Sequence, residues 1–270
     1  MRLEYKYLIS NNILNRLRSD LLPFVEYDKH LNNGKQDYTV RSIYFDNRKL
    51  DYYYDKIEGI KTRKKLRIRG YNFKPGKNLI FLEIKKKTDN YVYKNRTPLL
   101  FENLNQLLET GDVEKFVSDQ YRENESVDDG KRFFYHFINK SLRPIVLVVY
   151  EREAFTCKFD SRLRITFDMN LRYSPFPAIE DLYADDNQYK VLVNSTILEL
   201  KFNRNKPTWL QNIINKYELS RQSLSKYVIC LDDYSKHRPL NDNIRSAFTN
   251  HLLPENTSTE IVSTVSRLVG

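Results

Sequence analysis

The sequence is poor in the residues that most often build metal centres, disulfides and phosphate-binding loops. It has only two cysteines, four histidines and seven glycines among 270 residues. Cys157 and Cys230 each lack a second thiol at ligand spacing, which favours two buried small hydrophobic residues over a disulfide or a zinc site. No GxxxxGK[ST] motif occurs, so a phosphate site of the P-loop type is excluded.

Long apolar runs are also missing. The densest run, IVLVVY at 145–150, is far too short to span a bilayer. The first ten residues, MRLEYKYLIS, lack the apolar core of a signal peptide. We therefore expect a cytoplasmic protein without a transmembrane segment, whose oligomeric state the sequence leaves open.

Positive charge and aromatic residues are abundant instead. The net charge is +10 and the isoelectric point is about 9.3, which predicts a polyanionic partner: nucleic acid, an anionic membrane or a phosphate compound. Twenty tyrosines and fifteen phenylalanines favour strands, because aromatic residues fit a pleated, half-covered surface. A hydrophobic content of 40% is ample for a buried core.

Apolar periodicity predicts a mixture of strands and helices. Turn signals such as KPGKN at 74–78 and KTDN at 87–90 favour antiparallel connections. We expect one domain over residues 1–235 and a polar tail over 236–270 with one short helix. The predicted strands are 2–9, 38–46, 63–71, 79–87, 91–98, 144–153, 155–168 and 190–203. The predicted helices are 11–22, 101–122, 128–141, 206–218 and 221–232.

The segment RKKLRIRGY at 63–71 alternates cations with apolar residues. Successive side chains of a strand point to opposite faces, so the charges share one face while Leu66 and Ile68 occupy the other. An ordinary half-buried strand with its charges in water is the simplest interpretation. The same alternation, however, recurs in FLEIKKK, YVYKNR, SRLRITFD, ILELKFN and LEYKYLI.

These polar faces carry long cations interrupted by single glutamates, whereas solvated strand faces usually carry threonine, serine and scattered charges. The pattern predicts a closed antiparallel barrel whose polar faces line a water-filled tunnel and whose apolar faces pack outward against helices. The inward cations would be Lys6, Arg67, Arg69, Lys85, Lys94, Arg96, Arg152, Arg164 and Lys201, and the inward glutamates Glu4, Glu83 and Glu199.

A tunnel with this excess of cations needs an anion. Two cations about 5 Å apart repel by roughly 3 kcal/mol at an effective dielectric of about 20. A flexible phosphate chain fits, because arginine grips phosphate oxygens in pairs and lysine binds them as a point charge. Nucleic acid is not expected as a partner, since the aromatic residues lie on the faces opposite the cations and could not stack on bases.

Eight motifs together resemble the VTC domain, the polyphosphate polymerase branch of the triphosphate tunnel metalloenzymes in the CYTH-like superfamily. The resemblance covers about residues 1–235. It implies an α+β fold with a closed, eight-stranded antiparallel tunnel covered by helices, and it implies binding of a nucleoside triphosphate with Mn²⁺ or Mg²⁺. The motifs, in the family's order and spacing, are LEYKYLI, SIYFDN, RKKLRIRGY, FLEIKKK with YKNR, YEREAF, RLRITFD, LELKF and LSKY.

The resemblance also implies roles for individual residues. Three alternatives stay open. Glu4 and Glu83 could orient Lys6 and Lys85 instead of assisting a metal, and Ser225 could be only a helix cap. Glu199 could likewise only neutralise its neighbours. The implied catalytic residues are Lys6, Arg67, Arg69, Lys85, Arg152, Arg164 and Lys226. The implied substrate-binding residues are Lys65, Lys94, Arg96, Lys201 and Ser225, and the implied metal ligands are Glu199, Glu4 and Glu83.

The implied activity is transfer of the γ-phosphate of ATP to a growing polyphosphate chain, with metal assistance. Arg2 stands where CYTH-type triphosphatases carry the first glutamate of their ExExK motif, which favours the polymerase. The alternatives are a metal-dependent triphosphatase or polyphosphatase, and a non-catalytic subunit that binds polyphosphate or inositol polyphosphate. The sequence leaves open whether the product is released in the cytosol or handed to a membrane-protein partner.

Overall fold

The computed structural model describes residues 2–28, 36–72, 78–89, 91–117, 124–203 and 205–238. Within these ranges the strands are β1 (Arg2–Ser10), β2 (Val25–Tyr27), β3 (Asp37–Asp46), β4 (Thr62–Tyr71), β5 (Leu79–Thr88), β6 (Tyr91–Leu100), β7 (Arg143–Cys157), β8 (Arg164–Pro175), β9 (Tyr189–Lys190) and β10 (Ser195–Asn203). The helices are α1 (Asn11–Leu21), α2 (Asp51–Ile57), α3 (Leu104–Thr110), α4 (Val113–Phe116), α5 (Asn124–Asn139), α6 (Thr208–Lys216) and α7 (Lys226–His237).

Every predicted strand has a counterpart, but two boundaries differ. The strand predicted at 190–203 starts only at Ser195, and the second difference is larger. A strand was predicted across 155–168, whereas the chain turns after Cys157 and β8 starts at Arg164. The Asp160 carboxylate accepts a hydrogen bond from the Arg162 backbone N–H at 3.0 Å and shapes this turn. The polar–apolar alternation continues through the turn, so the pattern alone did not reveal it. Phe159 is 77% exposed at the tip.

Other differences concern the helices and the undescribed segments. The helix predicted at 221–232 starts only at Lys226, and α2 was not predicted. Most of the predicted KPGKN turn, the last residue of KTDN and nearly all of the predicted polar tail lie outside the described residues.

All ten strands belong to one antiparallel sheet. Its order is β1-β10-β8-β7-β3-β4-β5-β6, with β2 paired to β7 and β9 paired to β8. The predicted closed barrel is therefore wrong: the sheet is open, and its edges β1 and β6 are not joined by backbone hydrogen bonds.

The two edges nevertheless come close to each other. Cα atoms of β1 and β6 approach within 8 Å. The Lys85 ammonium on β5 reaches across to the Glu4 carboxylate on β1 at 3.0 Å. Because side chains bridge this gap while the backbones of β1 and β6 do not pair with each other, the sheet curls almost fully round and keeps a seam between these two strands.

The outer, convex face of the sheet is apolar and covered by helices, as predicted. On one side, Phe133, Phe134 and Phe137 of α5 pack in one cluster with Leu66 and Ile68 of β4. This is the apolar side of the RKKLRIRGY alternation, so its charges must face the concave side of the sheet.

A second apolar cluster covers the opposite part of the convex face. Leu17 and Leu21 of α1 and Leu210 of α6 pack there with Phe167 of β8 and Leu200 of β10. The two clusters therefore cover the outer faces of most of the strands that carry charges on their other side.

Helix α7 packs on the concave face, where only polar side chains were expected. Tyr227 and Leu231 of α7 cluster with Val146 and Val148 of β7, which alternate onto the same face as Arg152. One part of the concave face is consequently apolar and filled by α7, and the polar cavity occupies the rest.

Tyrosine–carboxylate hydrogen bonds fix α7 in this position. The Tyr227 hydroxyl donates to buried Asp46 at 2.7 Å, and Tyr173 donates to Asp233 at 3.0 Å. Tyr53 donates to Asp232 at 2.6 Å. Burial raises the pKa of Asp46 to about 6, although its hydrogen bonds to Tyr227 and to backbone N–H groups oppose the rise.

The packing of α7 can be tested with a leucine pair. Leu231 is fully buried, so Leu231→Ala should lower the free energy of unfolding by about 2–5 kcal/mol through lost contacts and a residual cavity. Leu22 is 41% exposed, and Leu22→Ala should change the free energy of unfolding by no more than about 0.5 kcal/mol. Urea unfolding followed by circular dichroism measures both. Equal small effects would contradict the packing of α7 against the sheet.

Candidate functional site

A cavity of about 480 Å³ lies against the polar part of the concave face. Twelve lysine and arginine side chains line it, against two glutamates, so its wall strongly favours an anion. The cations are Lys6, Lys56, Arg63, Lys65, Arg67, Arg69, Lys85, Lys87, Arg152, Lys201, Arg221 and Lys226; the glutamates are Glu4 and Glu199.

Most of the residues predicted for the site meet in this cavity. Four do not line it: Arg164, Lys94, Arg96 and Glu83. Arg164 instead pairs with Asp28 at 2.5 Å. Those on the wall are Lys6, Lys65, Arg67, Arg69, Lys85, Arg152, Lys201, Ser225, Lys226, Glu4 and Glu199.

Glu83 lies beneath the wall as the counter-ion of several cations. Its carboxylate oxygens are 2.6 Å from Arg67, 2.7 Å from Lys94 and 3.2 Å from Arg96, and its side chain is 1% exposed. Burial opposes ionisation, but Arg67 and the other cations hold the pKa of Glu83 well below its usual range. Both oxygens are thus occupied, and the predicted metal role of Glu83 stays a prediction.

Glu4 and Glu199 face the cavity and share Lys6. The Lys6 ammonium is 3.1 Å from Glu4 and 3.8 Å from Glu199, while Lys201 is 2.5 Å from the other Glu199 oxygen. Burial and the charge of Glu199 both oppose ionisation of Glu4, yet Lys6 and Lys85 hold the pKa of Glu4 below its usual value. Although burial raises it, the pKa of Glu199 is likewise held well below its usual value by Lys201 and Lys6.

These two ionised carboxylates have the chemistry of a hard-cation site that is completed by its ligand. Mn²⁺ and Mg²⁺ prefer oxygen donors, and Mg²⁺ often binds through one or two carboxylates together with substrate phosphates. Among the residues that the structure describes, no group of three His, Cys, Asp or Glu side chains could hold a metal ion by itself. Glu4 and Glu199 therefore fit a divalent cation only if phosphate oxygens complete its coordination.

Asp168 ends the RLRITFD motif and is a site residue to which the sequence analysis gave no role. Its fully buried carboxylate accepts two hydrogen bonds from Arg152, at 2.6 and 2.8 Å, and lies 2.5 Å from the Lys226 ammonium. Asp168 was placed on the polar face of its strand, but Lys226 is 58 residues away, so the local pattern could not pair them. Asp168 therefore orients Arg152 of β7 and Lys226, the first residue of α7, at the cavity wall.

Two tyrosines in the cavity were also missed. Arg67 donates to the Tyr44 hydroxyl at 2.9 Å, and Arg69 donates to the Tyr150 hydroxyl at 3.4 Å. The Lys226 ammonium lies 4.5 Å from the centre of the Tyr150 ring. Composition suggested aromatic residues for the core; these two hold cations in fixed directions as well.

The segment 221–225 closes one wall of the cavity. The Gln222 backbone N–H donates to the Lys6 carbonyl at 2.8 Å, which ties this segment to β1. The Ser225 hydroxyl accepts from the Val228 backbone N–H at the start of α7 and also from Lys65. Ser225 is thus both the helix cap and a residue of the wall. Burial, with further help from the charge of Lys6, lowers the pKa of Lys65 well below its usual value.

Neutralising Glu83 should be costly even without a ligand. Glu83→Gln leaves a buried group of cations without their shared counter-ion, and we expect the free energy of unfolding to fall by about 3–5 kcal/mol. Glu109→Gln, at an exposed position of α3, is the matched control and should have almost no effect. Chemical denaturation at low salt measures both variants. An unchanged stability of Glu83→Gln would contradict the counter-ion role.

Curated relatives of this chain include two subunits of the vacuolar transporter chaperone complex. Vacuolar transporter chaperone complex subunit 4 of Schizosaccharomyces pombe is 25% identical over 255 residues, covering 80% of this chain and 35% of that protein. Vacuolar transporter chaperone complex subunit 2 of Saccharomyces cerevisiae is 25% identical over 157 residues, covering 50% of this chain and 18% of that protein. The chain thus spans about a third of the first relative and less than a fifth of the second.

Among solved structures, the PH1819 protein of Pyrococcus horikoshii OT3 has a TM-score of 0.46 and 14% identity, covering 87% of this chain and 99% of that one. This likeness is too weak to bear on fold or function. In the ranges that the structure describes, no helix is long and apolar enough to cross a membrane. The VTC domain profile matches residues 1–233, which confirms the resemblance carried by the motifs: the chain belongs to the VTC domain family.

Proposed function

We propose that this chain is an ATP-dependent polyphosphate polymerase that adds the γ-phosphate of ATP to a growing polyphosphate chain in the basic cavity. One observation carries the proposal: twelve cations and only two carboxylates line a single cavity. Membership of the VTC domain family supports it further. An extended phosphate chain supplies closely spaced negative charges that match such a wall.

Positioned cations are the main requirement of this reaction. In phosphoryl transfer the charge spreads over the equatorial oxygens of the transferred group, while the attacking and leaving oxygens stand in line. Arg67 is fixed by Glu83 and Tyr44, and Arg152 is fixed by Asp168, so both guanidinium groups are oriented before a ligand arrives. Such preorganised charges stabilise a transition state without reorganisation.

In the proposed step, an oxygen of the terminal phosphate of the polyphosphate chain forms a bond to the γ-phosphorus of ATP. The bond between that phosphorus and the oxygen bridging to the β-phosphate breaks, and ADP leaves with the electron pair. An ionised phosphate carries no proton that must be removed, so no general base is required. The basic side chains of the cavity neutralise the charge that shifts to the leaving ADP.

Glu199 and Glu4 are the residues that would hold a divalent metal in this proposal. Mn²⁺ or Mg²⁺, when bound, supplies a Lewis acid that neutralises charge on phosphate oxygens. Lys6, Lys85 and Lys201 contact the same two carboxylates, so they remain close to any phosphate that binds beside Glu199.

Partner proteins also belong to the proposal. Both curated relatives are named as subunits of a vacuolar transporter chaperone complex, so we propose that this chain acts with other subunits. Delivery of the product to a membrane-protein partner stays open, and a cytoplasmic location for the chain stays a prediction.

The activity is tested by incubating the purified chain with ATP and Mn²⁺ and resolving the products on a gel. We expect long polyphosphate and ADP. Arg67→Gln should lower turnover by at least about 100-fold, because one preorganised donor is typically worth that much. Arg162→Gln, at an arginine whose side chain is 68% exposed and which pairs only with Asp160 at the turn, is the matched control.

Three outcomes would contradict the proposal. Orthophosphate or pyrophosphate without chains would indicate a triphosphatase or polyphosphatase. Tight binding of polyphosphate without turnover would indicate a binding subunit. Equal turnover of Arg67→Gln and Arg162→Gln would exclude the proposed role of Arg67.

Glu199→Gln separates a role in the reaction from a role in ligand binding. It removes a negative charge from an anion site, so the affinity for tripolyphosphate should not fall, whereas turnover with ATP and Mn²⁺ should fall by at least about 100-fold. Titration calorimetry and the gel assay provide the two readouts. Weaker tripolyphosphate binding with unchanged turnover would contradict the assignment.

A further inference from the structure

The outer part of the cavity differs in chemistry from its interior. Leu3, Tyr5 and Val92 belong to its lining. Leu3 and Tyr5 alternate with Glu4 along β1, so they lie on the opposite face of that strand, and Val92 lies on β6. The cavity therefore extends around the edge of β1 into the seam between β1 and β6, where Leu3, Tyr5 and Val92 add apolar surface beside Lys87, the residue paired with Val92.

A stacked arginine stands in this outer part. The Arg221 guanidinium carbon lies 3.9 Å from the centre of the Tyr5 ring. The Tyr5 ring is in turn fixed edge-on against Phe202, with ring centres 5.1 Å apart. A β-bridge between Arg221 and Tyr7 holds the backbone of Arg221 beside β1. Arg221 is an exposed residue, so part of its side chain remains accessible to a ligand.

A nucleoside triphosphate has two parts that match these two regions. Its phosphates match the inner cations, such as Lys6, Arg67 and Arg152. Its base is a planar aromatic group, which stacks on guanidinium planes and aromatic rings. The base also buries apolar surface when it packs against aliphatic side chains.

We propose that the base of the nucleoside triphosphate lies in the seam between β1 and β6, stacked on the Tyr5-backed guanidinium of Arg221 and packed against Leu3 and Val92. This inference rests on the proposed function only in taking a nucleotide as the substrate. It orients the nucleotide with its base at the seam and its γ-phosphate among the inner cations. Stacking area grows with ring size, so purine nucleotides bind more tightly than pyrimidine nucleotides.

The test compares ATP with inorganic tripolyphosphate, which has the phosphates and no base. Both ligands are titrated calorimetrically in EDTA. Arg221→Lys keeps the charge and removes the planar stacking surface, so ATP affinity should fall about fivefold or more, the low end of what base stacking supplies. The tripolyphosphate affinity of Arg221→Lys should stay within about twofold of the wild-type value. Retained binding of tripolyphosphate also shows that the variant is folded.

Arg63→Lys is the matched control. Arg63 also lines the cavity, and its guanidinium donates to the Ile60 carbonyl at 3.0 Å. This variant should change the affinities for ATP and for tripolyphosphate by the same factor. In the wild type, ATP should bind more tightly than UTP, and Arg221→Lys should reduce this difference.

The outcomes separate this inference from the polymerase proposal. If Arg221→Lys weakens ATP and tripolyphosphate equally, Arg221 binds phosphate and the base lies elsewhere. If it changes neither affinity, the seam does not bind the base. If the wild type binds both ligands and makes no polyphosphate, the polymerase proposal fails while the base subsite is still decided by the binding data. If the wild type binds neither ligand, both proposals fail.

Discussion

Repulsion among the cations of the cavity is the constraint on which the rest of the structure depends. Twelve basic side chains share one cavity, and every close pair costs free energy unless a counter-charge lies near. Buried carboxylates supply that charge from beneath the wall: Glu83 holds Arg67, and Asp168 holds Arg152 and Lys226. There are fewer carboxylates than cations, so the cavity keeps a net positive charge that attracts an anion.

The open seam follows from how the sheet is held together at its edges. A closed barrel would join β1 and β6 by backbone hydrogen bonds, whereas here Lys85 and Glu4 bridge that side of the cavity. Pro98 on β6 cannot donate a backbone hydrogen bond and suits an edge strand. A gap bridged by side chains can exchange its partners more easily than a ladder of backbone hydrogen bonds.

Local patterns predicted the direction of the charges but not their long-range partners. Alternation with a period of two is a property of each strand alone, so the inward positions of Arg67, Lys85 and Glu199 followed from a few residues each. Closure of the barrel depends on whether the two edge strands of the sheet pair with each other. The sequence of a single strand does not determine this pairing. The apolar stripe of α7 likewise fits either face of a sheet, so its place on the concave face could not be predicted. Asp168 was missed because its partner Lys226 lies on that helix.

The cations of the cavity fall into two classes that would respond differently to an anion. Arg67 and Arg152 are held by carboxylates beneath the wall and by hydrogen bonds, so their positions are fixed in advance. Lys6, Lys85 and Lys201 instead pair with Glu4 and Glu199, which themselves face the cavity. A phosphate group competes directly with these two carboxylates for the lysines, whereas it cannot displace Glu83 or Asp168 without unburying them. In the proposed polymerase the arginines would therefore define where the phosphates lie, and the lysines would follow them, because a lysine is a flexible point charge that can be shared between a carboxylate and a moving phosphate chain.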